Sequence, residues 1–151
     1  MIHIREAKPT EAPTIVNFQI EMARETENLQ LDRSLVTPGV EAVFEDNAKG
    51  RYYIAEIDDT IVGSLLTTYE WSDWRNGNVL WIQSVFVQEA YRGRGVYRQM
   101  WSFIKNMVLD TSSEYCGVRL YVDKSNLAAQ QVYQKLGMAN HHYDMYEWMG
   151  D

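Results

Sequence analysis

Residues 80–109, LWIQSVFVQEAYRGRGVYRQMWSFIKNMVL, constrain the fold more than any other part of this chain. They read as a buried strand, a turn rich in arginine and glycine, and an amphipathic helix. Residues 79–87 are almost continuously apolar, the pattern of a strand covered on both faces. After the turn, Tyr97, Met100, Trp101, Ile104, Met107 and Val108 recur at spacings of three and four, which predicts one buried helical face that Ser112 and Ser113 bring to an end. Between them lies Arg92-Gly93-Arg94-Gly95-Val96. Its glycines let a ligand approach the backbone closely. Consecutive N–H groups there form an anion nest at the positive end of a helix dipole. A phosphate-bearing ligand is therefore the first expectation. No Gly-Lys-Ser/Thr follows, so the turn is not a P-loop, and its glycine spacing differs from the dinucleotide fingerprint.

The rest of the chain frames this stretch. Residues 2–5 alternate apolar and polar, as a short strand does. Thr10 is an N-cap candidate for a helix that tolerates Pro13 in its first turn and buries Ile15, Val16, Phe18, Ile20, Met22 and Ala23. A second helix is expected from Thr37 as N-cap and Pro38 at the first position, with Gly50 as its stop. Residues 51–57 and 60–69 are β-branched and aromatic runs joined by Asp58-Asp59, a hairpin signal. Gly63 marks a bulge or a close backbone approach in the second run. Residues 70–78, EWSDWRNGN, read as a decorated loop whose Asn-Gly is a turn signal. Residues 117–122 predict a strand. Ser125 or Asn126 caps a last helix that carries Ala129, Val132, Tyr133 and Leu136 on one stripe and ends at Gly137. Residues 138–149 close the chain as extended structure. The order β-α-α-β-β-β-α-β-α-β predicts an α/β fold, one mixed sheet with helices on both faces, as a single domain over residues 1–151.

The 151-residue length suits such a domain, and a net charge of −7 disfavours nucleic acid and anionic membranes while steering cationic partners inward. One arginine–glycine copy in an acidic chain does not make an RNA-binding segment. Early charges in MIHIREAKP and the lack of a spanning apolar run lead to the expectation of a cytoplasmic protein. The lone Cys116 reads as a small buried hydrophobe, and His141 and His142 have no neighbours in sequence that suggest a metal site.

Two blocks resemble the GCN5-related N-acetyltransferases (GNAT family). VFVQEAYRGRGV, residues 85–96, is similar to that family's fourth strand, pyrophosphate loop and third helix. NLAAQQVYQKLGM, residues 126–138, is similar to its fourth helix, with the usual Asn, small residues, Tyr and Leu-Gly. The family's fold is a mostly antiparallel sheet splayed between strands four and five. The resemblance implies that Val85, Phe86 and Val87 line the pantetheine arm of acetyl-CoA. Arg92, Gly93, Arg94, Gly95, Val96 and Tyr97 would cradle its pyrophosphate. Asn126 and Ala129 would contact the cofactor arm, and Tyr133 would stand near the sulfur as the acid for the leaving thiolate. No metal is implied. Tyr97 departs from the family's Gly or Ala, and Gln83 stands where some members carry a catalytic Glu.

With Gln83 unable to act as a base, Glu70 is the candidate base. Glu70 and Asp73 with Tyr69, Trp71 and Trp74 have the ingredients of a cation-binding box, or alternatively of a dimer contact. Glu21, Glu25 and Glu27 fall near the end of the first helix. In the family that region lines the acceptor cleft, so Glu21 and Glu25 join Gln83 as acceptor-side candidates. The expected activity is acetyl transfer from acetyl-CoA to a primary amine of a small cationic metabolite, in a ternary complex. A peptide or protein N-terminus is the alternative acceptor, and a non-catalytic acyl-CoA-binding regulatory module the alternative function. A homodimer is expected from the aromatic C-terminal residues.

Overall fold

The computed structural model describes residues 1–110 and 114–150. They fall into two compact units, Met1–Leu120 and Tyr121–Asp151. The first holds a five-stranded mixed sheet in the order β1 (Ile2–Glu6), β2 (Arg51–Ile57), β3 (Thr60–Ser72), β4 (Gly77–Val87) and β5 (Tyr115–Arg119). The first four strands pair antiparallel, and β5 joins β4 in parallel. Helices α1 (Ala12–Glu27), α2 (Arg33–Glu45) and α3 (Val96–Asp110) complete the unit.

Alternation along β2 assigns the helices to faces. Tyr52 and Ile54 cluster with Ile15 and Val16 of α1 and with Val40 and Val43 of α2, and Tyr52 meets the Phe44 ring at 5.5 Å. Tyr53, pointing the other way, meets Phe103 of α3 at 5.5 Å. Helices therefore cover both faces, as expected. Ile15, Ile54, Leu65, Leu80, Met100 and Ile104 are fully enclosed. At one corner Arg5 binds Glu11 at 2.5 Å and Glu56 at 2.6 Å, tying β1 to β2 and to the 3-10 turn Pro9–Glu11.

Several boundaries differ from expectation, each for a local reason. Thr10 lies in that 3-10 turn, and the N–H of Lys8 is met by Glu11 at 2.7 Å; α1 begins only at Ala12. Helix α2 starts at Arg33, because Asp32 caps it by accepting from the Ser34 N–H at 2.9 Å, and Pro38 is absorbed inside the helix. The Asp58-Asp59 hairpin is present, with φ of 49° and 61°, the left-handed pair such a tight turn requires. Strand β3 runs on to Ser72, so Glu70 and Trp71 pair with Val79 and Asn78 as strand residues and only residues 73–76 remain as the turn. Strand β5 occupies Tyr115–Arg119, two residues earlier than its apolar pattern predicts. The Ser112–Ser113 stop of α3 lies outside the described residues.

Gly63 marks a close approach. A methyl group built there would sit 2.8 Å from the Phe86 carbonyl oxygen, a backbone atom that cannot step aside alone.

The second unit contains α4 (Leu127–Lys135). Asn126 is its N-cap, accepting from the Ala129 N–H at 3.1 Å, and Gly137 follows it in a left-handed conformation with φ of 88°. No strand forms among described residues 138–150, which corrects the expectation of a last strand.

Replacing Gly63 with Ala is expected to destabilise the protein by about 1–3 kcal/mol, the range for forcing an extra methyl into packed structure. The same change at Gly117, where nothing lies within 4 Å, is the control and should cost far less. Urea unfolding of both variants measures the difference.

Candidate functional site

Strand β4 changes character half-way along. Asn78, Val79, Leu80 and Trp81 pair with β5, and among the described residues that pairing ends at Trp81–Arg119. Among the described residues, 82–87 pair with β3 alone, so one edge of β4 is open there. Within this open segment Leu66 pairs with Gln83 and Ser64 with Phe86, leaving Leu65 opposite both Ser84 and Val85. That is a β-bulge, and Ser84 takes a φ of 53° to make it. A bulge bends its strand and sharpens the local twist, turning residues 85–87 away from the line of β5. The Gln83-Ser84 pair, polar in an otherwise apolar strand, was the sequence signal for it.

The open edge leads directly into the arginine–glycine turn. A 3-10 turn at Glu89–Tyr91 precedes Gly93 and Gly95, whose φ values are 76° and 82°, and α3 then starts at Val96. The first intrahelical bond runs from the Gln99 N–H to the Gly95 carbonyl at 3.0 Å. The N–H groups of Val96, Tyr97 and Arg98 lie ahead of it, at the end of the helix where backbone donors have no helical acceptor. Val96 itself is buried and Tyr97 half-buried.

The two arginines of the turn differ. Arg92 reaches back along β4: its Nε donates to the Val87 carbonyl at 2.8 Å, its Nη2 to Glu25 at 2.6 Å, and its guanidinium lies 5.6 Å from the Phe86 ring centre. Phe86 is buried, 5.1 Å from the Phe18 ring of α1, and its backbone pairs with Ser64 of β3, so Val85 and Val87 are the residues whose peptide groups face the open edge. Arg94 is exposed and lies over the Tyr91 ring at 5.4 Å. Glu25, expected on the acceptor side, ties the end of α1 to the turn; Glu21 is half-buried one helical turn before it.

On the acceptor side the strand geometry separates residues that the sequence brought together. Side chains alternate along β3, so Glu70 projects to one face of the sheet while Tyr69 and Trp71 project to the other. The five residues of the expected cation box therefore do not converge. Trp71 and Trp74 are exposed, Trp74 almost completely, and Asp73 sits with Trp74 in the hairpin turn. Thr68, Glu70, Trp81, Gln83 and Arg119 share the face on which α1 and α2 pack, because Thr68 pairs with Trp81 and Trp81 with Arg119. All five are half-buried. Gln83 donates to the Thr68 hydroxyl at 2.8 Å. Glu70 accepts from the Trp81 indole at 2.7 Å through one oxygen and from Arg119 at 2.7 Å through the other. The indole hydrogen bond, then the Arg119 guanidinium, hold its carboxyl below the ordinary value of 4.5. Both oxygens are engaged and the group is harder to protonate than a free glutamate, which is the opposite of what a general base at neutral pH requires. Sequence reasoning missed Trp81 and Arg119 as its partners, since they meet it only across strand pairing.

Asn126, Ala129 and Tyr133 belong to the second unit. There the Asn126 side chain is committed to the helix cap, and Ala129 and Tyr133 lie one turn apart as half-buried residues of α4. No group of three His, Cys, Asp or Glu side chains is arranged for a metal among the described residues, and no described helix is long and apolar enough to cross a membrane.

The family model for the acetyltransferase (GNAT) family matches residues 15–138. This chain belongs to the GNAT family. The solved structure of a possible acetyltransferase from Clostridium difficile 630 is 42% identical, with a TM-score of 0.92 over 100% of this chain and 99% of that one. A ribosomal-protein-alanine N-acetyltransferase from Brucella melitensis biovar Abortus 2308 shares the fold at 13% identity, with a TM-score of 0.80 over 99% of this chain and 100% of that one. So does a "predicted acetyltransferase" from Clostridium acetobutylicum solved with acetyl-CoA, at 17% identity and a TM-score of 0.73, over 99% of this chain and 95% of that one. No curated protein gave a significant match. As a GNAT protein this chain is an acetyltransferase by family, and the open β4 edge and the glycine turn lie inside the matched region.

Glu70 also makes stability pH-dependent. Its folded carboxyl titrates below the unfolded one, so its contribution is complete above about pH 4.5 and is lost as pH falls through the folded value. The stability difference between the wild type and Glu70→Gln should therefore be largest at neutral pH and shrink below that point. Urea midpoints measured from pH 7 to pH 3 test this; a constant difference would contradict it.

Proposed function

We propose that this protein transfers the acetyl group of acetyl-CoA to the primary amine of a small cationic metabolite, by direct attack in a ternary complex. One observation carries the reading: an open edge of β4, bent by a bulge, runs straight into a glycine turn at the N-terminus of α3. Peptide groups of Val85 and Val87 pair with the pantetheine amides as a short added strand would, while those of Phe86 face β3. The pyrophosphate lies against the N–H groups of Gly93, Arg94, Gly95, Val96 and Tyr97, where the helix dipole favours it. Arg94 is the cation of the turn that faces the phosphates, because Arg92 is already held by Glu25 and the Val87 carbonyl. The family match spans parts of both compact units, which supports reading residues 1–151 as one catalytic domain.

The chemistry needs few groups. A neutral amine attacks the thioester carbonyl, and an N–H of the β4 segment stabilises the oxyanion that develops. The amine proton leaves through water rather than through Glu70, whose oxygens are occupied. Tyr133 protonates the departing thiolate, whose thiol titrates in the ordinary thiol range. Holding both substrates in line supplies much of the acceleration. Glu21 and Gln83 are the polar side chains proposed to receive the acceptor, since Asp73, Tyr69, Trp71 and Trp74 lie at the hairpin end or on the other face of β3. The net charge of −7 draws a cationic amine in.

Titration calorimetry with acetyl-CoA, followed by free-thiol release across a panel of polyamines, amino sugars and short peptides, tests this reading. Binding with turnover on a small amine supports it. Turnover on peptides alone would move the acceptor to a polypeptide N-terminus, and binding with no turnover on any amine would make the protein a regulatory acyl-CoA-binding module. Tyr133→Phe should lower turnover by about one to two orders of magnitude, with little change in acetyl-CoA affinity. Unchanged turnover removes the acid role.

A further inference from the structure

We propose that Glu70 is a positioning residue. With Trp81 and Arg119 it forms a brace across three strands that sets where β5 parts from β4, and so sets the opening into which the acyl-CoA arm inserts. This rests on the cleft reading above and assigns Glu70 a role in building that cleft.

The register supports the brace. Trp81 and Arg119 are the last pair joining β4 to β5, and Glu70 lies two residues beyond Thr68, the β3 partner of Trp81. The three side chains therefore share a face at the vertex of the fork. One oxygen of Glu70 takes the Trp81 indole N–H and the other takes the Arg119 guanidinium, each at 2.7 Å. A single carboxylate thus spans β3, β4 and β5.

The backbone alone holds β5 weakly. It is a five-residue strand at the edge of the sheet, paired with β4 through four register positions interrupted by an irregularity next to Asn78. One more pair beyond Trp81 would consume β4 groups that the open edge presents; one fewer would lengthen the open edge. A charge-assisted contact at the last pair makes that position the preferred end point. Arg119 and Glu70 are both only partly exposed, so removing either leaves its partner short of the counter-charge it folds with. The Ser84 bulge starts three residues further along, so brace and bulge bracket the segment where β4 turns from core strand into binding edge.

The test compares wild type with Glu70→Gln, Arg119→Gln, Arg119→Lys and the Glu70→Gln/Arg119→Gln double variant. Acetyl-CoA affinity is measured by calorimetry. The Michaelis constant for acetyl-CoA, kcat and the pH–rate profile are measured with the best amine from the panel. Glu70→Gln and Arg119→Gln should each weaken acetyl-CoA binding about tenfold, the scale of one charged hydrogen bond. In both, kcat should stay within about threefold and the pH–rate profile should keep its shape. The double variant should be hardly weaker than either single one, because both remove the same contact. Arg119→Lys keeps the charge and should be intermediate; it carries the test if a glutamine variant fails to fold by circular dichroism. Three results would overturn the brace: unchanged acetyl-CoA affinity in the folded variants, additive losses in the double variant, or a hundredfold fall in kcat on Glu70→Gln with loss of the acidic limb, which would make Glu70 the base. A wild-type chain that does not bind acetyl-CoA would instead remove the cleft reading itself.

Discussion

Unequal pairing of β4 is the constraint on which the rest of the site depends. One edge of the strand is satisfied by β3 to its end, while the other, among the described residues, is satisfied by β5 only as far as Trp81. Backbone N–H and C=O groups are obligatory hydrogen-bonding groups, so an open edge in the middle of a sheet persists only where water or a ligand meets it. The bulge at Ser84 keeps that edge from closing by bending β4 off the line that β5 follows. Gly63 lets β3 stay close enough to Phe86 to hold the bent strand in place.

The helices hold this arrangement from both sides. Helix α1 packs Phe18 on Phe86 and extends Glu25 to Arg92, so the covered face of β4 and the start of the glycine turn are fastened to one element. Helix α3 starts at the end of the turn and packs on the opposite face through Phe103, which fixes the direction of its N-terminal N–H groups. An arginine beside a phosphate-type turn is not necessarily a ligand for phosphate. Arg92 is held by Glu25 and the Val87 carbonyl, and Arg94 lies at the surface over Tyr91.

Much of the fold was legible in the sequence because its signals are local. The apolar run of β4, the periodic face of α3, the Asp58-Asp59 hairpin and the Asn126 cap each depend on a few neighbouring residues. Where two cap signals compete the earlier one prevails: Asp32 starts α2 before Thr37 can. The acceptor side is ambiguous in sequence for a different reason. Residues 70–78 carry loop-type composition, but cross-strand pairing with residues 77–79 extends β3 through Ser72 and splits Glu70 from Tyr69 and Trp71. Composition carries no information about register, and register decides which side chains meet.

By itself the sequence determined the family, the order of most elements and the turn that suits a phosphate, since these follow from periodicity, glycine placement and two motif blocks. Only the tertiary structure decided which charges are available. Glu25 and Arg92 are distant in sequence and neutralise each other in space, and Glu70 finds Trp81 and Arg119 only when three strands come into register. A carboxylate in a sequence is a candidate base; whether it is one depends on how many donors the fold brings to its two oxygens.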